Sequence, residues 1–280
     1  MANASGAMAQ PPEPANKFRD LVPRIASAAV MLPAAGFLIW QGGDAFAIAV
    51  LVMCAWMAWE LGLLARARSL TDRLSLVVAE IVPVGFAAMG FMEFALVAVV
   101  AVLAVLFALR FLPGRSVTWM GIAGVAYIAA AGIAAIWLRQ GEGGGDIWIL
   151  LLSVVVASDV SAYAAGRIVG GPKLAPAISP KKTWAGSIGA LIGSATAVAV
   201  FGAVAVLPIL SMIAAALLVS IASQMGDLLE SWAKRQAGVK DSGSIIPGHG
   251  GALDRLDGFL FATPVLACIV FAAGGPPATW

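Results

Sequence analysis

Charged residues are scarce in this chain. Asp, Glu, Lys and Arg make up 11% of its 280 residues, one His is present, and the formal net charge is +2. So small a net charge says little about partners, and we expect no nucleic-acid partner. Because ionisable groups are expensive in an apolar setting, those that do occur are the first candidates for function.

Cysteine is nearly absent as well. The two that occur, Cys54 and Cys268, both lie inside apolar runs. This placement predicts small core residues and excludes a disulfide framework and a thiolate metal site. The first hydrophobic run starts too late and ends without a cleavage-site pattern, so we expect no signal peptide.

Long apolar runs are what the chain has in abundance. Hydrophobic residues make up 61% of it, and the mean hydropathy is +0.96. A bilayer-spanning helix needs about 20 residues, and about nine such runs can be marked out between charges, glycines and prolines. They are residues 25–41, 45–65, 74–90, 93–112, 117–138, 147–169, 184–206, 209–232 and 256–274. We therefore predict an all-α integral membrane protein, a polytopic bundle of about nine transmembrane helices.

Basic residues fall almost entirely on one side of these runs, with Arg139 as the exception. We therefore expect a multi-pass protein of the cell (inner) membrane. The positive-inside rule places its N-terminus and long polar loops on the cytoplasmic side and its C-terminus on the outer side. Three regions follow. They are a disordered cytoplasmic tail at 1–20, N-terminal transmembrane helices at 21–145, and a C-terminal transmembrane region at 146–280.

Two long connections in the C-terminal region, residues 166–190 and 231–257, hold most of the polar groups. On the helix that enters the second one, i, i+3, i+4, i+7 spacing places four polar residues on one face. These four are Asp227, Glu230, Ser231 and Lys234. Beyond the connection, Asp254 and Asp257 lie three residues apart in the first turn of the last run. Carboxylates from two helix ends suit a hard divalent cation such as Mg²⁺, which keeps one or two carboxylates plus substrate phosphates.

Glycines and a stripe of polar residues complete the pattern. The PGHGG segment at 247–251 supplies backbone N–H groups that can approach phosphate oxygens. Asp159, Tyr163 and Arg167 are spaced four apart on the sixth run, so they form one stripe that should face the bundle interior.

Other small and acidic residues have simpler interpretations. Gly186, Gly189 and Gly193 indicate a close helix contact rather than a phosphate loop. Glu60 and Glu80 are acids near the cytoplasmic ends of their runs, and the sequence suggests no role for either.

The ordered motif S-x-x-K-R-x4-K-D-x-G-x2-I-P-G-H-G-G-x-L-D-R-x-D at 231–257 resembles the signature of the phosphatidate cytidylyltransferase (CDP-diacylglycerol synthase) family. The resemblance extends to QMGDLLES at 224–231, SPKKTW at 179–184 and D-x-x-A-Y-x-x-G-R at 159–167. It covers roughly the C-terminal 40% of the chain with specific motifs.

The resemblance implies a nucleotidyltransferase of phospholipid biosynthesis that converts CTP and phosphatidate to CDP-diacylglycerol and pyrophosphate. It implies an Mg²⁺ cofactor held by Asp227 and Asp254, leaves a second cation open, and implies a homodimer with cytoplasmic catalytic loops. The candidate catalytic residues are Asp227, Lys240, Asp241, His249, Asp254, Arg255 and Asp257. The candidate substrate-binding residues are Ser179, Lys181, Lys182, Thr183, Ser231, Lys234, Arg235, Gly250, Gly251, Asp159, Tyr163 and Arg167.

Three positions depart from the family's pattern. Ala185 stands where the family usually reads KTWEG, Ser242 where it often reads KDFG, and Gly258 where DRxDS is usual. We expect these changes to affect fine tuning more than activity.

Other function classes remain open at this point. A transporter for an anionic or ion-coupled solute would place its ionisable residues at mid-membrane on broken helices with inverted repeats, and no repeat is visible. A polyprenol kinase that uses CTP would keep the basic loops but lack the PGHGG motif and its acids. A structural membrane protein would not need so many acids and bases in two loops.

Overall fold

Long helices account for nearly all of the part of the chain that the structure, a computed structural model, describes: residues 33–205, 208–243 and 250–280. The first helix, α1, is described over 33–41. The others are α2 (Gly43–Leu64), α3 (Leu70–Ala88), α4 (Met92–Leu109), α5 (Trp119–Gln140), α6 (Gly144–Ile168), α7 (Trp184–Ala205), α8 (Ile209–Ala237) and α9 (Leu253–Ala273). A short 3₁₀ helix, Pro277–Thr279, follows them.

The prediction of a polytopic helical membrane protein is confirmed. Among the described residues, seven helices, α2 and α4 to α9, have the length and apolar composition to cross a bilayer. Helix α3 has 19 residues but carries Asp72, Arg73 and Glu80. Each of the nine predicted runs overlaps one helix of the series α1 to α9. The predicted disordered tail at 1–20 and the candidate His249 lie outside the described residues.

Apolar side chains cover the outside of the bundle as well as its interior. On α4, Val97 is 67% exposed and Val100 is 69% exposed. Exposed aliphatic surface on this scale would be a liability in water but matches lipid tails. Helix α4 therefore lies at the lipid-facing edge.

Two clusters of buried side chains hold the helices together. The first joins α2 to α5 and includes Val84 and Ile128. The second joins α6 to α9 and includes Leu151. Helix α9 belongs to both, with Leu260 in the first cluster and Leu266 in the second. The last helix is thus the seam between the early and late helices, and the division at 145/146 stays a prediction.

A β-hairpin joins α6 to α7, where the sequence indicated only a polar connection. Strand β1 (Lys173–Ala175) pairs antiparallel with β2 (Ser179–Thr183), and Lys173 lies opposite Thr183. The buried Thr183 ends β2, and its hydroxyl oxygen accepts a hydrogen bond from the Gly186 N–H at 3.1 Å. Such a cap starts a helix, so α7 begins at Trp184.

Small residues bring α6 and α7 into close contact, as predicted for the three glycines. A Cβ on Gly186 would lie 2.9 Å from the Ala162 carbonyl oxygen. One on Gly189 would collide with the Ala165 methyl group, and one on Gly193 with the Ser161 hydroxyl. Backbones can approach this closely only where side chains are small.

This contact makes Gly189→Leu a test of the packing. The variant should lose about 1–3 kcal/mol of stability, because overpacking forces the two helices apart. The measurement is thermal unfolding in detergent. Gly85→Leu on α3 is the matched control, since a Cβ there meets nothing within 4 Å. Equal melting temperatures for the two variants would contradict the close contact.

Candidate active site

Four carboxylates from three helices form what we call the acidic cluster. They are Asp159 of α6, Asp227 and Glu230 of α8, and Asp257 of α9. The carboxylates of Asp227, Glu230 and Asp159 all act electrostatically on Asp257, and Asp227 also acts on Asp159. Like charges gathered in this way destabilise a site unless cations neutralise them. The acidic cluster is therefore suited to binding cations.

The hairpin brings a lysine to this cluster. Lys182 lies on β2, and its Nζ forms an ion pair with Oδ2 of Asp227. Lys182 also acts electrostatically on Asp159. The side chains of Lys182 and Asp227 are 25% and 35% exposed, so small solutes can reach them. The connection between α6 and α7 thus meets α8 at this ion pair.

Lys234 links α8 to α9. Its Nζ lies 2.7 Å from Oε2 of Glu230, one turn earlier on α8, and 2.6 Å from Oδ1 of Asp254 on α9. The side chain is only 14% exposed. Its predicted role in substrate binding stays a prediction. In the structure Lys234 already pairs with two carboxylates.

Asp254 anchors the polar segment that precedes α9. Its Oδ2 accepts hydrogen bonds from the Ser242 N–H at 2.8 Å and the Gly251 N–H at 2.9 Å, and the Ser242 Oγ lies 2.9 Å away. Its Oδ1 contacts Lys234. Both carboxylate oxygens are thus engaged by the protein itself.

Glu60 is the residue of this region that the sequence left without a role. Its side chain is fully buried. It reaches from α2 to the start of α9, where it accepts hydrogen bonds from the N–H groups of Ala252 at 2.9 Å and Leu253 at 3.0 Å. The hydroxyl of Ser242 donates to its Oε2 at 3.0 Å. A carboxylate at a helix N-terminus satisfies N–H groups that have no partner within the helix and offsets the positive end of the helix dipole. The signal that could have revealed Glu60 is a buried acid in an apolar run.

Glycines make these close contacts feasible. A Cβ on Gly251 would collide with the Ser242 hydroxyl and the Glu60 carboxylate, and one on Gly250 would lie 2.7 Å from Asp254 Oδ2. Gly250 also has φ of +76°, a backbone conformation that favours glycine. The Gly251 N–H, predicted to approach phosphate, donates to Asp254 in this structure.

Two of the departures from the family's pattern have a structural account. Ser242 is buried and its hydroxyl lies between Glu60 and Asp254. Gly258 is packed against α8, where an added Cβ would lie 2.5 Å from the Ser223 Oγ. Nothing in the structure explains Ala185.

The remaining candidates lie around these groups. Tyr163 and Arg167 are exposed, so the prediction that the stripe of Asp159, Tyr163 and Arg167 faces the bundle interior is wrong for these two residues. The Arg167 guanidinium donates to the Tyr163 hydroxyl at 2.7 Å. Arg255 is exposed and lines a cavity together with apolar neighbours on α9. The exposed candidates in the loops and at the helix ends are Lys181, Arg235, Lys240 and Asp241, and the half-buried ones are Ser179 and Ser231.

The carboxylate oxygens of the acidic cluster suit a hard cation that also keeps water and substrate phosphates as ligands. In the part of the chain that the structure describes, no three His, Cys, Asp or Glu side chains form a group able to hold a metal ion by themselves. Mg²⁺ needs only one or two carboxylates when water and substrate phosphates supply its other ligands. Asp227 and its neighbours in the acidic cluster offer oxygen ligands of this kind.

Several curated proteins with similar sequences share one name. A phosphatidate cytidylyltransferase of Brucella abortus biovar 1 (strain 9-941) is 47% identical over 154 residues, which are 51% of this chain and 54% of that protein. The proteins of the same name from Bacillus subtilis (strain 168) and Pseudomonas aeruginosa (strain PAO1) are 44% identical over 125 residues and 38% identical over 141 residues. The Bacillus match covers 44% of this chain and 46% of that protein, and the Pseudomonas match covers 49% and 52%. The chain thus spans about half the length of the curated relatives it matches.

A longer match comes from the family as a whole. The sequence profile described as "Cytidylyltransferase family" matches residues 22–273. This range contains helices α2 to α9 with the hairpin, the acidic cluster and both lysines bound to it. The chain therefore belongs to the cytidylyltransferase family.

Proposed function

We propose that this protein is a phosphatidate cytidylyltransferase, which converts CTP and phosphatidate to CDP-diacylglycerol and pyrophosphate. The observation that carries the proposal is the acidic cluster with its Lys182–Asp227 ion pair, set among apolar membrane helices. One substrate of this reaction is a polyanion from water and the other is an anionic lipid. A charged site on lipid-embedded helices can receive both, and the relatives' names agree with that chemistry.

The reaction asks little covalent chemistry of the protein. A phosphate oxygen of phosphatidate attacks the α-phosphorus of CTP, a new P–O bond forms, and the bond from the α-phosphorus to the bridging oxygen breaks. Pyrophosphate leaves with that electron pair. Phosphate monoesters lose their second proton near pH ~6, so the attacking oxygen is already ionised at neutral pH. Positioning and charge neutralisation are what remain for the site to supply.

The residues divide between neutralising charge and holding the helices in place. Lys182, together with Lys181 and Lys240, is proposed to neutralise triphosphate oxygens once it leaves Asp227. Lys234 and Asp254 join α8 to α9 and so fix Asp227 relative to Asp257. Arg235 is proposed as one of the cations at the lipid phosphate, and His249 is proposed to act on the departing pyrophosphate.

Mg²⁺ is the cofactor that we propose, and a second cation stays open. When bound, it would neutralise phosphate oxygens and polarise the α-phosphorus. Asp227 and Asp254 are the ligands predicted from the resemblance. Because both oxygens of Asp254 are engaged, we propose Asp257 as the better partner for Asp227 and Asp254 as the anchor beside them.

A dual-label assay tests the proposed reaction. Purified protein in mixed micelles would receive phosphatidate, Mg²⁺ and CTP labelled on either the α- or the γ-phosphate. We expect the α-label in the lipid and the γ-label in pyrophosphate. Transfer of the γ-label to lipid would instead show a CTP-dependent kinase, and no transfer by folded protein under any divalent cation would refute the proposal.

The protein is integral to the membrane, and we propose that its catalytic loops and N-terminus are cytoplasmic, with the C-terminus outside. In a variant without Cys54 and Cys268, a cysteine at the exposed Asp241 should react with an impermeant maleimide only from the cytoplasmic side. A cysteine at the exposed Glu142, between α5 and α6, should react only from outside. The reverse pattern would invert the topology.

We further propose a homodimer, on the resemblance alone. Size-exclusion chromatography with light scattering, corrected for detergent, should give twice the monomer mass. A monomeric mass in an active preparation would refute the dimer.

A further inference from the structure

A cavity of about 630 Å³ lies between α1, α2, α5, α6 and α9. Its walls are almost wholly apolar, with Phe46 and Met53 on α2, Ala135 on α5 and Leu256 on α9 among them. Two polar side chains of the wall are already satisfied by backbone. The Trp148 indole donates to the Ala135 carbonyl at 3.2 Å, and the Thr263 hydroxyl donates to the Phe259 carbonyl at 2.7 Å. Arg255 is the charged residue among those lining the cavity in the described part of the chain.

The cavity is long in the direction of the helices. On α2 its lining runs from Phe46 to Met57, which at 1.5 Å per residue is about 16 Å. That is about half of the ~30 Å hydrocarbon thickness of a bilayer. On α9 the lining runs from Arg255 in the first turn to Thr263, two turns deeper. One end of the cavity is therefore cationic and the rest is apolar.

Helix α9 separates this cavity from the acidic cluster. Asp254 turns toward α8, where it contacts Lys234, and the charge of Asp227 on α8 acts on Asp257. The neighbouring Arg255 and Leu256 line the cavity. Arg255, at the cationic end of the cavity, is thus the next residue in the chain after Asp254, beside the site where the lipid phosphate must react.

The cavity also reaches the protein surface beside α1. Ala35 lines it and is itself exposed. This exposed part of the lining is where an occupant would enter from the lipid side.

We propose that this cavity binds one acyl chain of the anionic glycerophospholipid substrate, with the phosphate end at Arg255. The inference rests on the proposed function, and it adds where the lipid chain lies and what measures its length. Charge complementarity selects the occupant: an apolar chain matches the walls, and a phosphate matches the guanidinium at the one cationic end. A zwitterionic lipid would fit the walls equally well but has less net charge for Arg255.

The kinetic test uses a substitution on α2 that places a larger side chain in the cavity. Ala49→Phe should raise KM for dioleoyl phosphatidate about tenfold, because the ring occupies the chain's space. It should leave KM for dioctanoyl phosphatidate and for CTP nearly unchanged. Ile48→Phe is the matched control, since Ile48 adjoins Ala49 but is 58% exposed on the outside of α2. Equal effects on long and short chains, or equal effects of the two variants, would overturn the proposal.

Photolabelling tests the site without turnover. The wild-type protein is irradiated with phosphatidate that carries a diazirine at the end of one acyl chain, with CTP omitted. We expect label on Met53, Ala131 and Leu260, which line the cavity, and competition by unlabelled phosphatidate but much less by phosphatidylcholine. Label confined to the lipid-facing α4 of an active protein would overturn this inference and leave the proposed function intact. Cavity label in a protein that fails the dual-label assay would refute the function while keeping the lipid site. Equal competition by phosphatidylcholine would overturn the role given to Arg255.

Discussion

The Asp227→Asn variant is expected to lose at least about 100-fold in kcat while it still folds. Asp227 is the carboxylate of the acidic cluster that contacts Lys182, and its side chain is 35% exposed, so substrate and cation can reach it. Asparagine keeps the shape but removes the charge that a hard cation requires. Titration of the rate with Mg²⁺ should therefore show a weaker apparent Mg²⁺ affinity together with the lower kcat.

Three further variants show whether the loss in Asp227→Asn is specific to the cation site. Asp257→Asn should weaken the Mg²⁺ titration as Asp227→Asn does. Asp254→Asn should mainly lower the melting temperature, because it removes the charge paired with Lys234 and one of the two oxygens that hold Lys234, Ser242 and Gly251. Asp146→Asn, exposed at the opposite end of α6 from Asp159, is the control and should behave as wild type.

Two outcomes would change the assignment. If Asp254→Asn rather than Asp257→Asn shifts the Mg²⁺ titration, the ligand pair is Asp227 and Asp254, as the resemblance implied. If Asp227→Asn keeps its rate within about threefold of wild type and its Mg²⁺ dependence is unchanged, the acidic cluster is not the cation site.

Hydropathy was enough to predict the helices, because each must bury its own backbone hydrogen bonds in lipid. The errors in the predicted helix bounds lie at the helix ends, where the sequence changes from apolar to polar residues and hydropathy no longer marks the helix. Helix α8 continues five residues beyond the predicted end at 232, through Lys234 and Arg235, and stops at Gly238 with φ of +73°. Helix α9 starts at Leu253 rather than 256, and the N–H groups of Ala252 and Leu253 find their acceptor in Glu60.

Spacing within one helix also predicted part of the site. Asp227, Glu230, Ser231 and Lys234 do lie on α8, and Lys234 pairs with Glu230 one turn away. Partners on different helices carry no such signal. Glu60 and Leu253 are 193 residues apart in the chain, and only the tertiary fold brings them into contact. The hairpin was missed because its local signal is weak: β2 is a five-residue strand that contains Pro180, and proline is a poor strand former.

Glu60→Gln is expected to be the most damaging change outside the acidic cluster. A glutamine amide nitrogen cannot accept a hydrogen bond, so at least one of the three donors from Ser242, Ala252 and Leu253 loses its acceptor. Leaving a buried donor unsatisfied costs about 1–3 kcal/mol, which should appear as a lower melting temperature. Because Asp254 and Asp257 lie in the first turns of α9, a shift of about 1 Å at this helix end should lower kcat by about 100-fold.

Glu80→Gln is the matched control for this prediction. Both glutamates are fully buried, but neither carboxylate oxygen of Glu80 has a hydrogen-bond partner among the described residues. Glu80→Gln breaks no side-chain hydrogen bond among the described residues, so this variant should lose less stability than Glu60→Gln. The activities are compared well below both melting temperatures, with KM for CTP measured beside kcat. A positioning role for Glu60 predicts a fall in kcat with little change in KM, and partial recovery in Glu60→Asp, which keeps the charge. Equal losses of stability and kcat in Glu60→Gln and Glu80→Gln would contradict this role. They would show that the fold requires a buried acid at both positions, and that the contacts of Glu60 with the start of α9 have no special effect.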